Sequence, residues 1–274
     1  MVDPMVLFRL MTVVGVLSAL AMPAFAASAS KGLEITFDVS ARDSHIGQGA
    51  LLIGPKGNAN QPLRAVKLSG KTTSILGILY NGMLEATSWL DAGCLPVQVQ
   101  WQSKIGGNKA LTQGKFDGKH VQAVFSRPGQ RDVAVDKTVD DTLLDPVALV
   151  PWLMQQKPKP GKKLQTHLYT GMDVCQANLE VGAAESILVA GQSREALPLT
   201  AQLQGCRLDR KFTIWLAPRD MMPLKLAIFD KLLGTIDFEL AGIKAVAMVA
   251  PPPPSSLDDG PPLPHQADAA DKSR

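Results

Sequence analysis

Apolar and polar residues alternate with a period of two through most of the interior of this chain. In LEITFDVS, Leu33, Ile35, Phe37 and Val39 fall on one face and Glu34, Thr36, Asp38 and Ser40 on the other. Successive side chains of a strand point to opposite faces, so this is the pattern of a strand with one wet and one buried side. The alternation recurs in PVQVQWQ from Pro96, LQTHLYT from Leu164, RKFTIWL from Arg210, PLKLAIF from Pro223 and TIDFEL from Thr235. Turn-forming sequences separate the runs: Gly54-Pro55-Lys56-Gly57, Asn81-Gly82, Gly106-Gly107-Asn108, Asp117-Gly118 and Pro160-Gly161. A tight hairpin needs positive φ at its two central residues, which Asn-Gly and Asp-Gly tolerate, so neighbouring runs are expected to pair.

One segment has a different period. In DDTLLDPVALVPWLMQQ, from Asp140 to Gln156, Asp145 stands as an N-cap, Pro146 takes the first helical position, and apolar residues follow at helical spacing. The pattern predicts a helix over about 146–156 with Leu149, Trp152 and Leu153 buried and a second apolar stripe through Val150 and Met154. Pro151 lacks a backbone donor and is expected to kink or split it. Strands, one helix, then more strands is not the order of βαβ units, and the turn spacing is that of a sandwich or barrel.

Two phrases, SWLDAGCLPVQVQWQ from Ser88 and IWLAPRDMMPLKLAIF from Ile214, repeat one design. Each has Trp-Leu at a strand end, a polar turn with Asp91 or Asp220, and a proline where its missing donor is tolerated. The expectation is a hairpin written twice, with Pro96 and Pro223 opening strands and Val97, Val99 and Trp101 on one buried face.

The chain ends are not core material. Arg9, the apolar run Leu10 to Met22 and Ala24-Phe25-Ala26 describe a secretory signal over residues 1–26, cleaved after about Ala26. The run is shorter than the ~20 apolar residues of a membrane-spanning helix, and the rest of the chain has no such span. From Ala250 to Arg274, prolines without aromatics describe a disordered tail. Residues 27–249 are left as a single β-rich domain. A net charge of +3 favours no charged partner, and the lysines at 157, 159, 162 and 163 bracket a turn without interleaved aromatics, which disfavours nucleic acid.

Export places three cysteines in an oxidising compartment, where one disulfide and one spare thiol are expected. Cys175 and Cys206 flank what reads as two strands joined near Gly191, so that pair is expected to bridge, leaving Cys94 as a buried thiol. The histidines His45, His120, His167 and His265 are scattered, with His167 expected exposed on the wet face of its strand, so no metal site is assigned. Gly47-Gln48-Gly49 opens a strand rather than a helix, Ser193 lacks the glycine pattern of a nucleophile elbow, and the acids at 140, 141 and 145 suit a helix amino terminus. No catalytic residues and no cofactor are assigned.

DPVALVPWL, PKPGKKLQTHLYTG and KFTIWLAPRDMMPLKLAIFDKLLGTIDFEL together resemble an exported bacterial family, domain of unknown function 3108. Its Asp-Pro-led helix, Gly-led strand and closing Trp-Leu, Asp, Pro, Gly sequence match Asp145-Pro146, Gly161, and Trp215-Leu216, Asp220, Pro223 and Gly234. The resemblance covers about residues 32–244, more loosely in the first half, and departs at Pro151. It implies a mainly β fold, a curved antiparallel sheet or incomplete β-barrel with one helix packed against it, broadly similar to periplasmic lipoprotein carriers. The expected function is a periplasmic, non-enzymatic module holding a lipid or other apolar ligand in its concave face, with Trp101, Trp152, Met154, Met221 and Met222 as candidate contacts. The bland alternative is that these residues are ordinary core. Two other readings stand beside it: an envelope scaffold whose proline-rich tail reaches a protein partner, and a hydrolase built from distant carboxylates.

Overall fold

A computed structural model describes residues 31–42, 44–57, 62–72, 82–105, 108–206, 210–230 and 234–248. The signal, the tail, His265, Asn81 and Gly106-Gly107 lie outside them. Sixteen strands are formed among the described residues: β1 (Lys31–Ala41), β2 (Ser44–Ile53), β3 (Arg64–Thr72), β4 (Gly82–Leu90), β5 (Pro96–Ile105), β6 (Asn108–Asp117), β7 (His120–Ser126), β8 (Val133–Thr138), β9 (Leu143–Leu144), β10 (Lys163–Tyr169), β11 (Val174–Val181), β12 (Glu185–Val189), β13 (Gln192–Gln204), β14 (Arg210–Leu216), β15 (Pro223–Asp230) and β16 (Gly234–Ala247). One helix, α1 (Pro146–Gln156), follows β9.

Each strand from β1 to β7 pairs antiparallel with the next, and β16 returns to pair with β1. The sheet then continues through β15, β14, β13, β11 and β10 to β9, whose short ladder with β10 is parallel. Its two ends, β8 and β9, are consecutive in the chain, joined by residues 139–142. A flat sheet would separate them by fourteen inter-strand steps of about 4.8 Å, roughly 67 Å. The connection spans at most about 18 Å. The sheet must therefore curl until its edges approach, giving an open, curved sheet that does not close into a barrel.

The alternation decides which side is inside. Ile35, Phe37 and Val39 of β1, Val99 and Trp101 of β5, Leu199 and Leu203 of β13 and Ile236 and Phe238 of β16 are all buried in one core. The opposite face carries cross-strand ion pairs, Lys67–Glu85 at 3.1 Å, Lys225–Asp237 at 3.0 Å and Lys244–Glu34 at 3.2 Å. Exposed pairs of this kind add little stability, but they mark the wet side. β12 and the start of β13 leave the main path as a hairpin turning at Ala190-Gly191, both with positive φ. It is fastened to the outer face, where Ala190 N donates to Glu239 Oε1 at 2.6 Å and Trp215 Nε1 donates to Glu185 Oε1 at 2.6 Å.

The repeated phrase is a repeated hairpin. Pro96 opens β5 and Pro223 opens β15. In both ladders the register slips between Trp and Leu, so that Leu90 faces Pro96 and Leu216 faces Pro223. The residue two before each proline, Cys94 or Met221, has φ +59°. Asp91 Oδ1 accepts from Leu95 N at 2.8 Å and Asp220 Oδ1 from Met222 N at 3.1 Å, stabilising the two turns in the same manner. Val99 and Trp101 are buried as expected, whereas Val97 at the rim is half-buried.

Helix α1 packs against β3 and β4. Its docking bond joins Ser88 Oγ, on a wholly buried residue of β4, to Asp145 Oδ1 at 2.8 Å. Two features differ from expectation. The helix is one continuous element through Pro151, because the proline costs a single donor to the Val147 carbonyl while Pro151, Trp152 and Leu153 are all buried in packing. His167 is half-buried rather than exposed, with Nδ1 buried, because the Thr142 carbonyl before β9 accepts from its backbone N–H and brings that edge alongside.

Candidate binding cavity

The inward faces do not meet everywhere. A cavity of about 260 Å³ is left in the concavity, with walls from both halves of the sheet and from the first residues of α1. Phe37, Leu51, Leu68 and Leu84 come from β1 to β4, Trp101 and Thr112 from β5 and β6, and Leu226, Ile228 and Phe238 from β15 and β16. The void has a local cause: Gly49, Ser103 and Ala110 occupy inward positions where larger apolar residues would have filled the space.

Below it lies an aromatic group. Tyr169 is fully buried, 5.4 Å from Trp101 and 5.8 Å from Phe116 between ring centroids, the latter edge-on. The Tyr169 hydroxyl donates to the Gly171 carbonyl at 2.8 Å, and burial raises its pKa, with the Asp145 charge a smaller contribution in the same direction. Gly171 has φ +94°, and a Cβ there would stand 2.9 Å from Trp101 Cζ3. Gly171 thus sets the Trp101 ring by direct approach. Gly171→Ala is expected to lose roughly 1–2 kcal/mol from the backbone conformation alone, read as a lower urea midpoint together with a changed near-ultraviolet dichroism of the tryptophans.

Two polar groups here lack protein partners among the described residues. Trp101 Nε1 is buried and unbonded, as is Asp145 Oδ2. Asp145 Oδ1 accepts from Val147 N at 2.7 Å and Ala148 N at 3.3 Å besides Ser88, which caps the helix but leaves the second oxygen bare. Desolvation pushes its pKa up to about 6 against those bonds.

No family model and no curated protein matches the sequence. Solved structures do match the fold. The chain is similar to a beta-barrel-like protein of the domain of unknown function DUF1849 from Brucella abortus. The TM-score is 0.56 at 10% identity, over 79% of this chain and 98% of that one. A protein with a YmcC-like fold from Bacteroides fragilis aligns over 78% of this chain and 96% of its own, with TM-score 0.32 and 8% identity. The Brucella protein shares the β-barrel-like architecture, and at this identity the likeness concerns fold alone.

Of the candidate contacts named from sequence, Trp101 stands in the cavity wall. Trp152, Met221 and Met222 are buried in the surrounding core, and Met154 is half-buried against it. Their neighbours Val147, Leu149 and Val150 of α1 supply the helical part of the wall instead. Tyr169, Gly171 and Gly49 were not anticipated; a glycine at an inward strand position is the signal that marks Gly49. Cys175 and Cys206 form the expected disulfide, and both residues border the cavity. Cys94 is the free, buried cysteine, its thiol pushed up by burial against the opposing influence of Arg64, whose Nη1 lies 3.8 Å from Sγ. Among the described residues no group of His, Cys, Asp and Glu could hold a metal ion, and no helix is long and apolar enough to cross a membrane.

Proposed function

We propose that this protein is a non-enzymatic binding module of the cell envelope that holds an apolar ligand in the concave face of its sheet. The observation that carries the reading is the apolar cavity itself, lined from both halves of the sheet and by α1. Its volume of about 260 Å³ lies just below the ~300–1,000 Å³ of ordinary ligand sites, which suits one acyl chain better than a diacyl lipid. Export is supported by the amino-terminal apolar run and by the Cys175–Cys206 disulfide, since such bridges persist in oxidising compartments. The resemblance of the second half to domain of unknown function 3108 supports the same placement.

Gly49 provides the test. A Cβ there would meet nothing closer than the Ser69 carbonyl at 3.5 Å, so a side chain can be added without moving the strands. Gly49→Leu is expected to fill the cavity and weaken binding of an apolar fluorescent dye, N-phenyl-1-naphthylamine, at least tenfold without lowering the urea midpoint. Equal dye binding by the two proteins would end the proposal.

A further inference from the structure

Independently of the cavity, we infer that a groove on the outer face, beside Lys104 and Lys109, is the docking site of the chain's own carboxy-terminal segment Leu257-Asp258-Asp259. Lys104 lies near the end of β5 and Lys109 near the start of β6, and the ladder sets them directly opposite each other. Both are exposed, and neither takes part in an ion pair among the described residues. Like charges directly opposite on neighbouring strands destabilise the pairing. Elsewhere on this face the cross-strand pairs join opposite charges, as in Lys67–Glu85 and Lys225–Asp237. The two lysines border a groove of about 730 Å³, whose lining also includes the half-buried Met83 and Leu111. Of its acids, Glu85 is engaged by Lys67 at 3.1 Å, and Asp132 is offset by Arg127 in the same lining. Lys104 and Lys109 are the charge left over, and a pair of carboxylates with an apolar neighbour is the complement.

The chain supplies that complement at the right distance. Met248, the last described residue, is buried in a cluster with Ala65 and Trp89, which are opposite each other in the β3–β4 ladder. Trp89, Glu85 and Met83 share the outer face of β4 by alternation, so the chain leaves the fold over the same face that carries the groove. From Trp89 to Met83 is six residues of strand, ~20 Å, and Lys109 stands two strand spacings further across, ~10 Å, a direct path of ~22 Å. Asp258 follows Met248 by ten residues, among them Pro251 to Pro254. Prolines keep such a segment extended at ~3.1 Å per residue, so it reaches ~31 Å, enough to cover the path and the curvature of the sheet. Asp258 and Asp259 have no basic neighbour in sequence, whereas the later acids Asp268 and Asp271 are followed by Lys272 and Arg274. Leu257 brings an apolar side chain to Met83 and Leu111.

Carbodiimide coupling of the full chain, which joins a carboxylate to a lysine amine only at contact, tests the inference by peptide mass spectrometry of the monomer fraction. Lys157, Lys159, Lys162 and Lys163 are an internal control: all are exposed, and the end of α1 before them is tied to the β4–β5 turn by Gln155 Nε2 donating to the Ala92 carbonyl, close to where the chain leaves the fold. Links from Asp258 or Asp259 to Lys104 or Lys109 are expected to exceed those to the control lysines at least fivefold, and to fall to the control level in 0.5 M sodium chloride. Exchanging the charges, Lys104→Glu and Lys109→Glu together with Asp258→Lys and Asp259→Lys, is expected to restore the link with its two partners reversed. Equal yields at the two groups of lysines would overturn the inference, as would a groove link found only between chains or a charge exchange that gives none.

Discussion

Reduction of the Cys175–Cys206 bridge is expected to lower the stability of the fold by about 3.7 kcal/mol, the chain-entropy value for closing a loop of this length. The two cysteines are 31 residues apart in sequence, and the segment between them contains the whole of β12 and β13. Without the bridge the unfolded chain regains the freedom of that loop, while the folded state keeps the β11–β13 ladder that runs from Gln176 opposite Gln204 to Val181 opposite Leu199. The bridge lies just beyond the Gln176–Gln204 end of that ladder. Cys175 is 1% exposed but Cys206 is only half-buried, so a reducing agent reaches the bridge at the Cys206 sulfur. In urea titrations, with and without reductant, the midpoint should fall by roughly 1–2 M. An unchanged midpoint after complete reduction, verified by thiol counting, would show that the bridge does not constrain the unfolded chain in this way.

The sequence made the strands and the helix legible because both are local. Period-two alternation from Leu33 to Val39 places Ile35 and Phe37 inward without reference to any partner, and Asp145-Pro146 marks the start of α1 to the residue. The repeated hairpin was legible for the same reason, since Pro96 and Pro223 limit what the backbone can do next to them. The pairing of β1 with β16 was not legible, because it joins residues about two hundred positions apart and only the completed sheet brings them together. The cavity was half legible. Inward parity identified Trp101, but whether an inward apolar residue packs or borders a void depends on how tightly the sheet curves, which no local pattern states. Trp152, Met221 and Met222 are inward and apolar too, and they are core because α1 and the β14–β15 turn press them against neighbours. Pro151 does not split α1, since burial of the residues around it outweighs one missing hydrogen bond.

Asp145 is expected to make the protein lose stability as the pH rises from about 4 to about 6. Its carboxyl is fully buried, and burial pushes its pKa up to about 6 from an ordinary value of 3.8. Between those values the folded protein retains a proton that the unfolded chain has released. Stability therefore falls with rising pH across that window, by about 3 kcal/mol for two units at 1.36 kcal/mol each, and the carboxylate contributes no further fall above pH 6. The geometry explains where the proton goes: Oδ1 is occupied by Ser88 Oγ, Val147 N and Ala148 N, so it sits on Oδ2, which faces no partner among the described residues. An asparagine in place of the acid would keep an acceptor for all three donors, since asparagine caps helices as well as aspartate does, and would remove the ionisation. The Asp145→Asn variant should thus lose the decline between pH 4 and pH 6 while unfolding as cooperatively as the parent, and it should be the more stable of the two at pH 7. Chemical denaturation at several pH values measures the difference between the two proteins, which cancels the titration of every other group. Parallel pH profiles would mean that Asp145 is not the group that holds the proton, and that the charge at the head of α1 is tolerated by the fold at every pH tested.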